Sequence, residues 1–484
     1  MMSVLKSTTR LSWVAGVMLL AISCRQNELE KISKRGDLSL ASTVTAPLPF
    51  STNLLFDQQG HSQFKADVAA NNGVQNLYDT ASNAALSYTP TGYSSIYSVS
   101  GAAAAAGADG NRLMALAFKS EATDDSVARQ PYLDKAAQIL KAWAKVNVQS
   151  WHRPTETGFL PFYEAYSVVR SSFRQTDRDT VDGWILRRAT VGAYNMTLQD
   201  GNTVNQVNNW EAIRICFLFY SAYILSDNSL LSTAKSSYST FLDNYLLSGG
   251  KTTDFVDRDA VIYLQYGLQY VAFTLRAVYS MEGNTAGNTL RDKTNKIGLK
   301  LGNAISFWET FLCGLYHMDF ANSMFTSERT TRLARYNPTG GVYALDVWLK
   351  PYPNQLYPYI KMLDASNAGR FKNFTRYVSL LNTPNTVTTP DTLRVQVYQN
   401  CQYGGYMVAL AIGGYPTGVF PTIGIKPNDL SSVKTPAGRL AILYNSNFAD
   451  STAGGKNYTV SASTPCLVGT FNDMTNSIIV TNTY

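Results

Sequence analysis

Two segments of this chain are apolar on nearly every side, and they restrict its fold more than any other feature. Residues 211–225 contain few polar side chains, and residues 259–281 have the same character. Helices of this kind must be covered by neighbouring elements on most sides. Residues 132–146 differ, because their apolar positions follow the i, i+3, i+4, i+7 stripe of a helix with one solvated face. The alternation predicts inner helices wrapped by amphipathic outer helices.

Further helical segments lie between breaks rich in Gly, Pro, Asn and Asp. They are expected at residues 62–86, 111–119, 161–174, 181–196, 230–246, 287–311 and 402–413. A superhelix of stacked repeats would show a fixed period, and we find none in the sequence. We therefore predict a mainly α protein in which residues 59–420 form an incomplete (α/α) toroid or barrel of helical hairpins.

The character of the sequence changes after Pro416. Gly, Thr, Ser and Asn become frequent, and short β-like runs occur at 440–444 and 477–481. Residues 421–484 are therefore predicted to form a small β-rich C-terminal extension.

Residues 1–23 have the features of a bacterial lipoprotein signal peptide. Lys6 and Arg10 precede an apolar run that is shorter than the roughly 20 residues needed to span a bilayer. Small residues lead up to Cys24, as in a lipobox, where the cysteine is acylated and becomes the mature N-terminus. An ordinary secreted protein with a chance cysteine is the alternative. We expect residues 24–58 to be a lipid-anchored flexible tether in the cell envelope of a Gram-negative bacterium, on the periplasmic side or at the cell surface.

The composition excludes several classes of protein. With 45% hydrophobic and 15% charged residues, the chain is neither disordered, nor collagen-like, nor a coiled coil. The net charge of +7 is a mild excess that suits an acidic partner without requiring nucleic acid. The 30 tyrosines favour surfaces for polar ligands such as carbohydrate. The expected partners are an acidic polysaccharide and, through the lipid anchor alone, the membrane; we expect a monomer.

Besides Cys24, the cysteines are Cys216, Cys313, Cys401 and Cys466. An extracytoplasmic location permits disulfides, but the wide spacing shows no framework, and buried free thiols are the favoured interpretation. The sequence contains no CxxC or HExxH motif, and its histidines are far apart. Neither a metal nor another cofactor is predicted.

Several short motifs follow one another in a recognisable order. They are Leu113–Phe118, Tyr132–Ala144, Glu164–Arg170, Trp184, Asn208–Trp210 and Arg258–Leu268. Their order and approximate spacing, from about residue 60 to 285, resemble the alginate lyase family. The resemblance implies an incomplete (α/α) toroid with a cleft across the ring, and cleavage of acidic polysaccharides by β-elimination.

Elimination across C4–C5 of a 4-linked uronate requires a neutralised carboxylate, a base for the C5 proton and an acid for the departing O4. Asn208 and Asn209 could donate amide hydrogen bonds to that carboxylate, and Arg258 a bidentate guanidinium contact. The resemblance implies that Tyr263 is the catalytic tyrosine that protonates the leaving oxygen. A neighbouring arginine would lower the pKa of such a phenol.

Two positions depart from the family pattern. Where the family has a histidine after its Asn pair, this chain has Trp210, and where the family has Tyr-His, this chain has Leu264. Tyr263 would then act as both base and acid, which is natural when H5 and O4 leave from one face of the sugar. This favours poly-mannuronate or glucuronan over poly-guluronate, although a distant His152 or His317 could still reach the cleft.

Other residues are candidates for substrate binding. They are Trp210, which could stack on a sugar, and Tyr266, Arg329, Arg332, Arg335 and His317. The three arginines recur every third residue, which also fits a solvated helix face.

Each catalytic candidate also has a purely structural interpretation. Asn208 and Asn209 could cap the following helix, and Arg258 could pair with an adjacent aspartate. The spacing of eight residues would put Tyr266, rather than Tyr263, on the helix face of Arg258. The motif favours Tyr263, provided that Arg258 lies before the first helical turn.

The predicted function is therefore a polysaccharide lyase acting on 4-linked uronic-acid polymers. The alternative is a non-catalytic glycan-binding lipoprotein of a polysaccharide uptake system. A hydrolase of unsaturated uronides would need an inward pair of carboxylates, and Asp254, Asp257 and Asp259 provide no clear pair.

Overall fold

The computed structural model describes most of the chain beyond residue 50. The described residues are 51–96, 98–148, 156–191, 207–258, 261–312, 318–319, 332–333, 342–352, 356, 370–381, 394–410, 413–446, 456–467 and 469–482. Contacts divide the chain into Met1–Leu48 and Pro49–Tyr484, and all the described residues belong to the second unit. The predicted signal peptide and Cys24 lie outside the described residues.

Helices dominate the described residues up to 381. They are α1 (Gln58–Ala69), α2 (Asp79–Leu86), α3 (Ala102–Ala122), α4 (Ser126–Val146), α5 (Leu160–Val169), α6 (Gln175–Thr190), α7 (Asn209–Leu225), α8 (Asn228–Tyr245), α9 (Thr253–Arg258), α10 (Val261–Arg291), α11 (Leu301–Leu312), α12 (Val342–Trp348) and α13 (Phe374–Ser379). Gly283 interrupts α10 with a φ of +84°. Among the described helices, none is both long enough and apolar enough to cross a bilayer.

The apolar helices form an inner layer and run in the same direction. Glu164 of α5 binds Tyr220 of α7 and Arg276 of α10, so these positions lie at one level. Further along, Tyr223 of α7 donates to Glu282 of α10. Because the contacts ascend together along both helices, α7 and α10 are parallel. Their N-termini therefore lie at the same end of the layer.

The amphipathic helices form an outer layer and run the opposite way. Lys119, near the end of α3, lies over the ring of Tyr132, near the start of α4. Asp109, near the start of α3, accepts a hydrogen bond of 2.8 Å from Trp143, near the end of α4. The same reversal relates α6 to α5. This is the double layer that the alternating helical patterns predict.

The segment before α1 crosses the C-terminal ends of the inner helices. The backbone N–H of Leu54 donates to Ser167 Oγ at the end of α5, at 3.2 Å. Ser280 Oγ of α10 donates to the carbonyl of Asn53, at 2.7 Å. Leu54, Leu55 and Asn53 are buried. The prediction of a flexible tether up to residue 58 is thus wrong for this segment, because its apolar side chains cover the helix ends.

The inner layer continues beyond α10 and returns to its start. Helix α10 packs against α12, and α12 packs against α13. The ring centroid of Phe374 in α13 then lies 4.7 Å from that of Phe118 in α3. The fold is mainly α, an incomplete (α/α) toroid of helical hairpins with a small β-rich part, as the sequence predicts.

The structure corrects some of the expected helix boundaries. The helix expected at 62–86 is divided into α1 and α2, and Gly73 between them has a φ of +101°. The helix expected at 287–311 is also divided, because α10 ends at Arg291 and α11 begins at Leu301. The helix expected at 402–413 is wrong, since Gly404–Leu410 is a strand paired with Val395–Asn400.

The β-structure after residue 394 comprises short antiparallel strands. They are β3 (Val395–Asn400), β4 (Gly404–Leu410), β5 (Gly413–Tyr415), β6 (Ser432–Lys434), β7 (Arg439–Tyr444), β8 (Asn457–Val460) and β9 (Ser477–Asn482), after a two-residue pair of β1 (Met318–Asp319) and β2 (Arg332–Leu333). The sheets have the orders β4-β3-β6 and β5-β9-β7-β8. The two predicted β-like runs are confirmed as β7 and β9, but the C-terminal β-rich part begins at Val395 rather than at 421.

A disulfide links Cys401 and Cys466 across this β-rich part. The expectation of free thiols is wrong for these two residues, because strand pairing brings together cysteines that are 65 residues apart in sequence. Cys216 is a buried free thiol, as expected.

Candidate functional site

The predicted Asn pair lies at the start of α7. Asn208 is the N-cap, and its Oδ1 accepts a hydrogen bond of 2.9 Å from the backbone N–H of Trp210. The capping interpretation is therefore correct for Asn208, while its amide Nδ2 takes no part in the cap. Asn209 is 4% exposed and Trp210 is half-buried.

A buried ion pair holds the first turn of α7. Arg214 donates through Nε to Glu211 Oε2 at 2.7 Å and through its terminal nitrogen to Oε1. Burial raises the pKa of Glu211, and the guanidinium of Arg214 opposes that rise. The pair compensates both charges internally, so it fixes the helix start without presenting a net charge.

Tyr263, Tyr266 and Tyr270 form a stripe on α10, since their spacings of three and four residues place them on one helix face. We call these residues the tyrosine stripe. Tyr270 donates to the hydroxyl of Tyr266 at 3.4 Å, and their rings meet edge to face at 5.2 Å. Burial raises the pKa of Tyr270 well above its usual range, so it stays protonated and acts as a donor. Tyr263 and Tyr266 are half-buried.

Arg258 does not belong to the helix that carries these tyrosines. It ends α9, and α10 begins at Val261. The helical spacing that would favour Tyr266 over Tyr263 therefore does not run through Arg258. At the other end of α9, Thr253 Oγ1 donates to the carbonyl of Val207, next to Asn208. This bond ties α9 to the start of α7.

The parallel packing of α7 and α10 brings these groups to one end of the ring. Asn208–Trp210 stand at the start of α7, and Tyr263 and Tyr266 stand in the first turns of α10. The N-terminus of a helix carries a partial positive charge and exposes free N–H groups. This end of the ring therefore combines amide donors, phenolic hydroxyls and a potential that favours anions.

A buried polar cluster lies deeper in the ring. Glu164 Oε1 accepts from the hydroxyl of Tyr220 at 2.9 Å and from the guanidinium of Arg276. Burial raises the pKa of Glu164, and Arg276 opposes that rise. The cluster joins α5, α7 and α10 and fixes their relative positions. In the sequence, the signal for this cluster is a glutamate within an apolar helix.

Some predicted residues cannot be placed at this end. His317, Arg329 and Arg335 lie outside the described residues. Arg332 belongs to β2, where its backbone lies opposite that of Asp319 in β1. The solvated helix face considered for the three arginines is therefore wrong at Arg332, which has strand geometry.

The carboxylates and the histidine that the structure describes lie in different settings. Asp254 is 1% exposed and lies against Tyr245, whereas Asp257 is exposed. His61 lies at the opposite end of the ring, where its Nε2 is 2.6 Å from Glu121 near the end of α3. Within the described residues, no group of three His, Cys, Asp or Glu could hold a metal ion.

No family model matches the chain. No curated protein matches it. Among solved structures, it is similar to a βγ-crystallin domain from Flavobacterium johnsoniae, at 32% identity over 18% of this chain and 93% of that one, with a TM-score of 0.17. The N-terminal domain of protein S gives 32% identity, with 18% and 96% of the two chains covered and a TM-score of 0.17.

A βγ-crystallin domain from Clostridium beijerinckii is 26% identical over 18% of this chain and 97% of that one, with the same TM-score of 0.17. These likenesses concern a small part of the chain, and their TM-scores support no inference about its activity. The resemblance to the alginate lyase family stays a prediction.

Proposed function

We propose that the protein is a polysaccharide lyase that cleaves 4-linked uronic-acid chains of the poly-mannuronate or glucuronan type. In this proposal the enzyme acts in the cell envelope from a lipid anchor at Cys24. The observation that carries the proposal is the parallel packing of α7 and α10, which brings Asn208–Trp210 and the tyrosine stripe to the same end of the ring.

The reaction requires compensation of negative charge. Removal of the C5 proton leaves an electron pair that forms the C4=C5 bond while the C4–O4 bond breaks, and charge builds on the carboxylate. The amides of Asn208 and Asn209 and the guanidinium of Arg258 are the donors proposed to face that carboxylate. The positive potential at the start of α7 acts in the same direction.

Tyr263 is proposed to move the proton. In its phenolate form it takes the C5 proton, and it then gives that proton to the departing O4. One residue can do both when the two atoms lie on the same face of the sugar, as in β-D-mannuronate and β-D-glucuronate. Tyr266, held by Tyr270, and Trp210 would form aromatic walls against the sugar rings.

The test is incubation of the purified protein with poly-mannuronate, glucuronan, poly-guluronate and glycosaminoglycans, followed by the ultraviolet absorbance of the C4=C5 bond. We expect product from poly-mannuronate or glucuronan, and Tyr263→Phe should lower the rate by about 100-fold or more. Tyr132→Phe, the same change on outer helix α4, is the control and should leave the rate unchanged. Absence of unsaturated product from every polymer would contradict the proposal.

A non-catalytic glycan-binding lipoprotein is the second candidate, and the position of His61 favours it. This histidine is the one that the described part of the chain contains, and it lies at the end of the ring opposite to the tyrosine stripe. This function would be supported if the protein binds an acidic polymer without forming unsaturated product. The affinity for the polymer should then fall in Trp210→Ala and persist in Tyr263→Phe.

A further inference from the structure

The β-rich part is a sandwich that turns one of its sheets away from the helices. Ile442 of β7 and Ile479 of β9 belong to the helical core. Their neighbours Ala441 and Ile478 face the other way, into a core shared with Val397 of β3. The sheet β4-β3-β6 therefore covers the far side of the sandwich, and its outer face points away from the helical body.

Aromatic and polar side chains occupy that outer face. We call Gln396, Tyr398, Tyr403, Met407 and Lys434 the tyrosine face. Gln396 and Tyr398 alternate along β3 with the core residues, and they pair across the strands with Lys434 and Met407 respectively. Met407 is 49% exposed, and Tyr403 is half-buried.

The tyrosine face carries a cation without a carboxylate. Lys434 Nζ lies 4.6 Å from the ring centroid of Tyr403 and 5.4 Å from that of Tyr398. It forms no ion pair within the described residues, and strands β3, β4 and β6 contain no Asp or Glu. Arg394 is exposed just before β3 and lies two residues before Gln396. Because residues two apart in a strand lie on the same face, Arg394 adds a second positive charge to this face. The charge of this face complements an anion.

The backbone that carries Tyr403 is held in an unusual conformation. Gln402 and Tyr403 have φ angles of +58° and +60°, in the left-handed region that non-glycine residues rarely adopt. The Cys401–Cys466 disulfide fixes the start of this turn, and Tyr403 N–H donates to Ser432 Oγ at 3.2 Å. Strain of this kind persists where the surroundings impose it, and it often marks binding sites. The ring of Tyr403 is therefore pre-positioned beside Lys434.

We propose that the tyrosine face is a second binding site, for an anionic polysaccharide chain. The C–H face of a pyranose would stack on Tyr403, and the carboxylate of a uronate would pair with Lys434. Gln396 Oε1 accepts from Tyr398 at 2.7 Å, which leaves its amide donors for a sugar hydroxyl. The site would hold a long polymer while its chain is cleaved elsewhere. The choice of a uronate polymer rests on the proposed function.

The experiment is native electrophoresis of the full protein through gels that contain poly-mannuronate, glucuronan or a neutral cellulose ether. We expect retardation in the acidic polymers, weakened by salt. Lys434→Gln should raise the apparent dissociation constant about threefold, the effect of one exposed charge pair. Tyr403→Ala should raise it about tenfold, whereas Tyr403→Phe keeps the ring and the affinity. Lys456→Gln, an exposed lysine elsewhere on the sandwich, is the matched control.

Two outcomes would overturn the inference. One is unchanged retardation in both Lys434→Gln and Tyr403→Ala; the other is equal retardation in the neutral polymer. The outcome is separable from that of the lyase proposal. Tyrosine-face variants that lose retardation support this site even if no polymer yields unsaturated product. Product formation with unchanged retardation in those variants supports the lyase and rejects this site.

Discussion

Gly267 of α10 is a residue at which a single methyl group should matter. An added Cβ would lie 2.2 Å from the hydroxyl of Tyr245 and 2.8 Å from Asp254 Oδ2. Both partners are buried, and the charge of Asp254 adds to burial in raising the pKa of Tyr245 well above its usual range. Neither group can move into solvent to make room. We expect Gly267→Ala to lower the free energy of unfolding by about 1–3 kcal/mol, measured by urea denaturation.

Gly183→Ala is the matched control, because it makes the same change on outer helix α6. The nearest atom to its added Cβ is a terminal nitrogen of Arg187, at an ordinary 3.6 Å. Alanine is the better helix former, so we expect this variant to be neutral or more stable by about 0.4–1 kcal/mol. Equal stability of Gly267→Ala and the wild type would show that the packing around Gly267 leaves room for a methyl group.

Residue roles could be predicted from the sequence where they depend on local geometry. Asn208 is an example, since its cap involves Trp210, two positions away. The bond between Glu164 and Arg276 joins residues 112 positions apart, and no spacing rule relates them. The sequence indicated which residue types occur near the site, whereas their partners depend on how the helices pack.

At the scale of elements, two substitutions at the start of α7 separate the capping role of Asn208 from its proposed role as a donor to the substrate carboxylate. Asn208→Ala removes the cap and should lower the free energy of unfolding by about 1 kcal/mol. Asn208→Asp keeps an acceptor for the Trp210 N–H, and the helix dipole favours its charge. The same carboxylate would repel the carboxylate of a uronate. We therefore expect Asn208→Asp to keep wild-type stability and to lose about 100-fold in the rate of product formation.

Thermal unfolding and the ultraviolet product assay check the two effects separately. Asp227, which caps α8 at the opposite end of the ring through a bond to the Leu230 N–H, supplies the control. Asp227→Asn should retain both stability and rate. An Asn208→Asp variant with the full wild-type rate would mean that Asn208 is a cap and nothing more.

Elements with long periodic patterns were predictable, and short apolar runs were not. The segment 211–225 is α7 almost to the residue, because an all-round apolar run of that length fits a buried helix. The run at 404–410 is too short to distinguish a helix from a strand by periodicity. Its strand conformation depends on pairing with β3 and, through β3, with β6.

At the scale of the whole molecule, the double helical layer followed from the sequence, and the attachment of the sandwich did not. Alternation of buried and amphipathic helices allows few arrangements, and a ring of hairpins is one of them. The sandwich joins this body through residues such as Ile442 and Ile479, which are buried in the helical core. Their alternation with Ala441 and Ile478 shows that β7 and β9 are covered on both faces.

This attachment makes the Cys401–Cys466 disulfide a constraint on the whole fold. The bond closes a loop of 65 residues, for which the chain-entropy model gives about 4 kcal/mol of stabilisation. Because β7 and β9 cover part of the helical core, unfolding of the sandwich exposes that core. We expect the double variant Cys401→Ser, Cys466→Ser to have a lower urea midpoint both in the helical circular dichroism signal and in the hydrogen-exchange protection of strands β7 and β9.

The reduced wild type should unfold at the midpoint of the double variant, whereas reductant should leave the midpoint of the double variant unchanged. Cys216→Ser controls for loss of a thiol, since Cys216 is unpaired: this variant keeps the disulfide, so reductant should lower its midpoint by as much as it lowers that of the wild type. Protection of β7 and β9 that is lost at lower urea while the helical midpoint stays would contradict a shared core. The contacts of Ile442 and Ile479 would then be too weak to couple the sandwich to the ring.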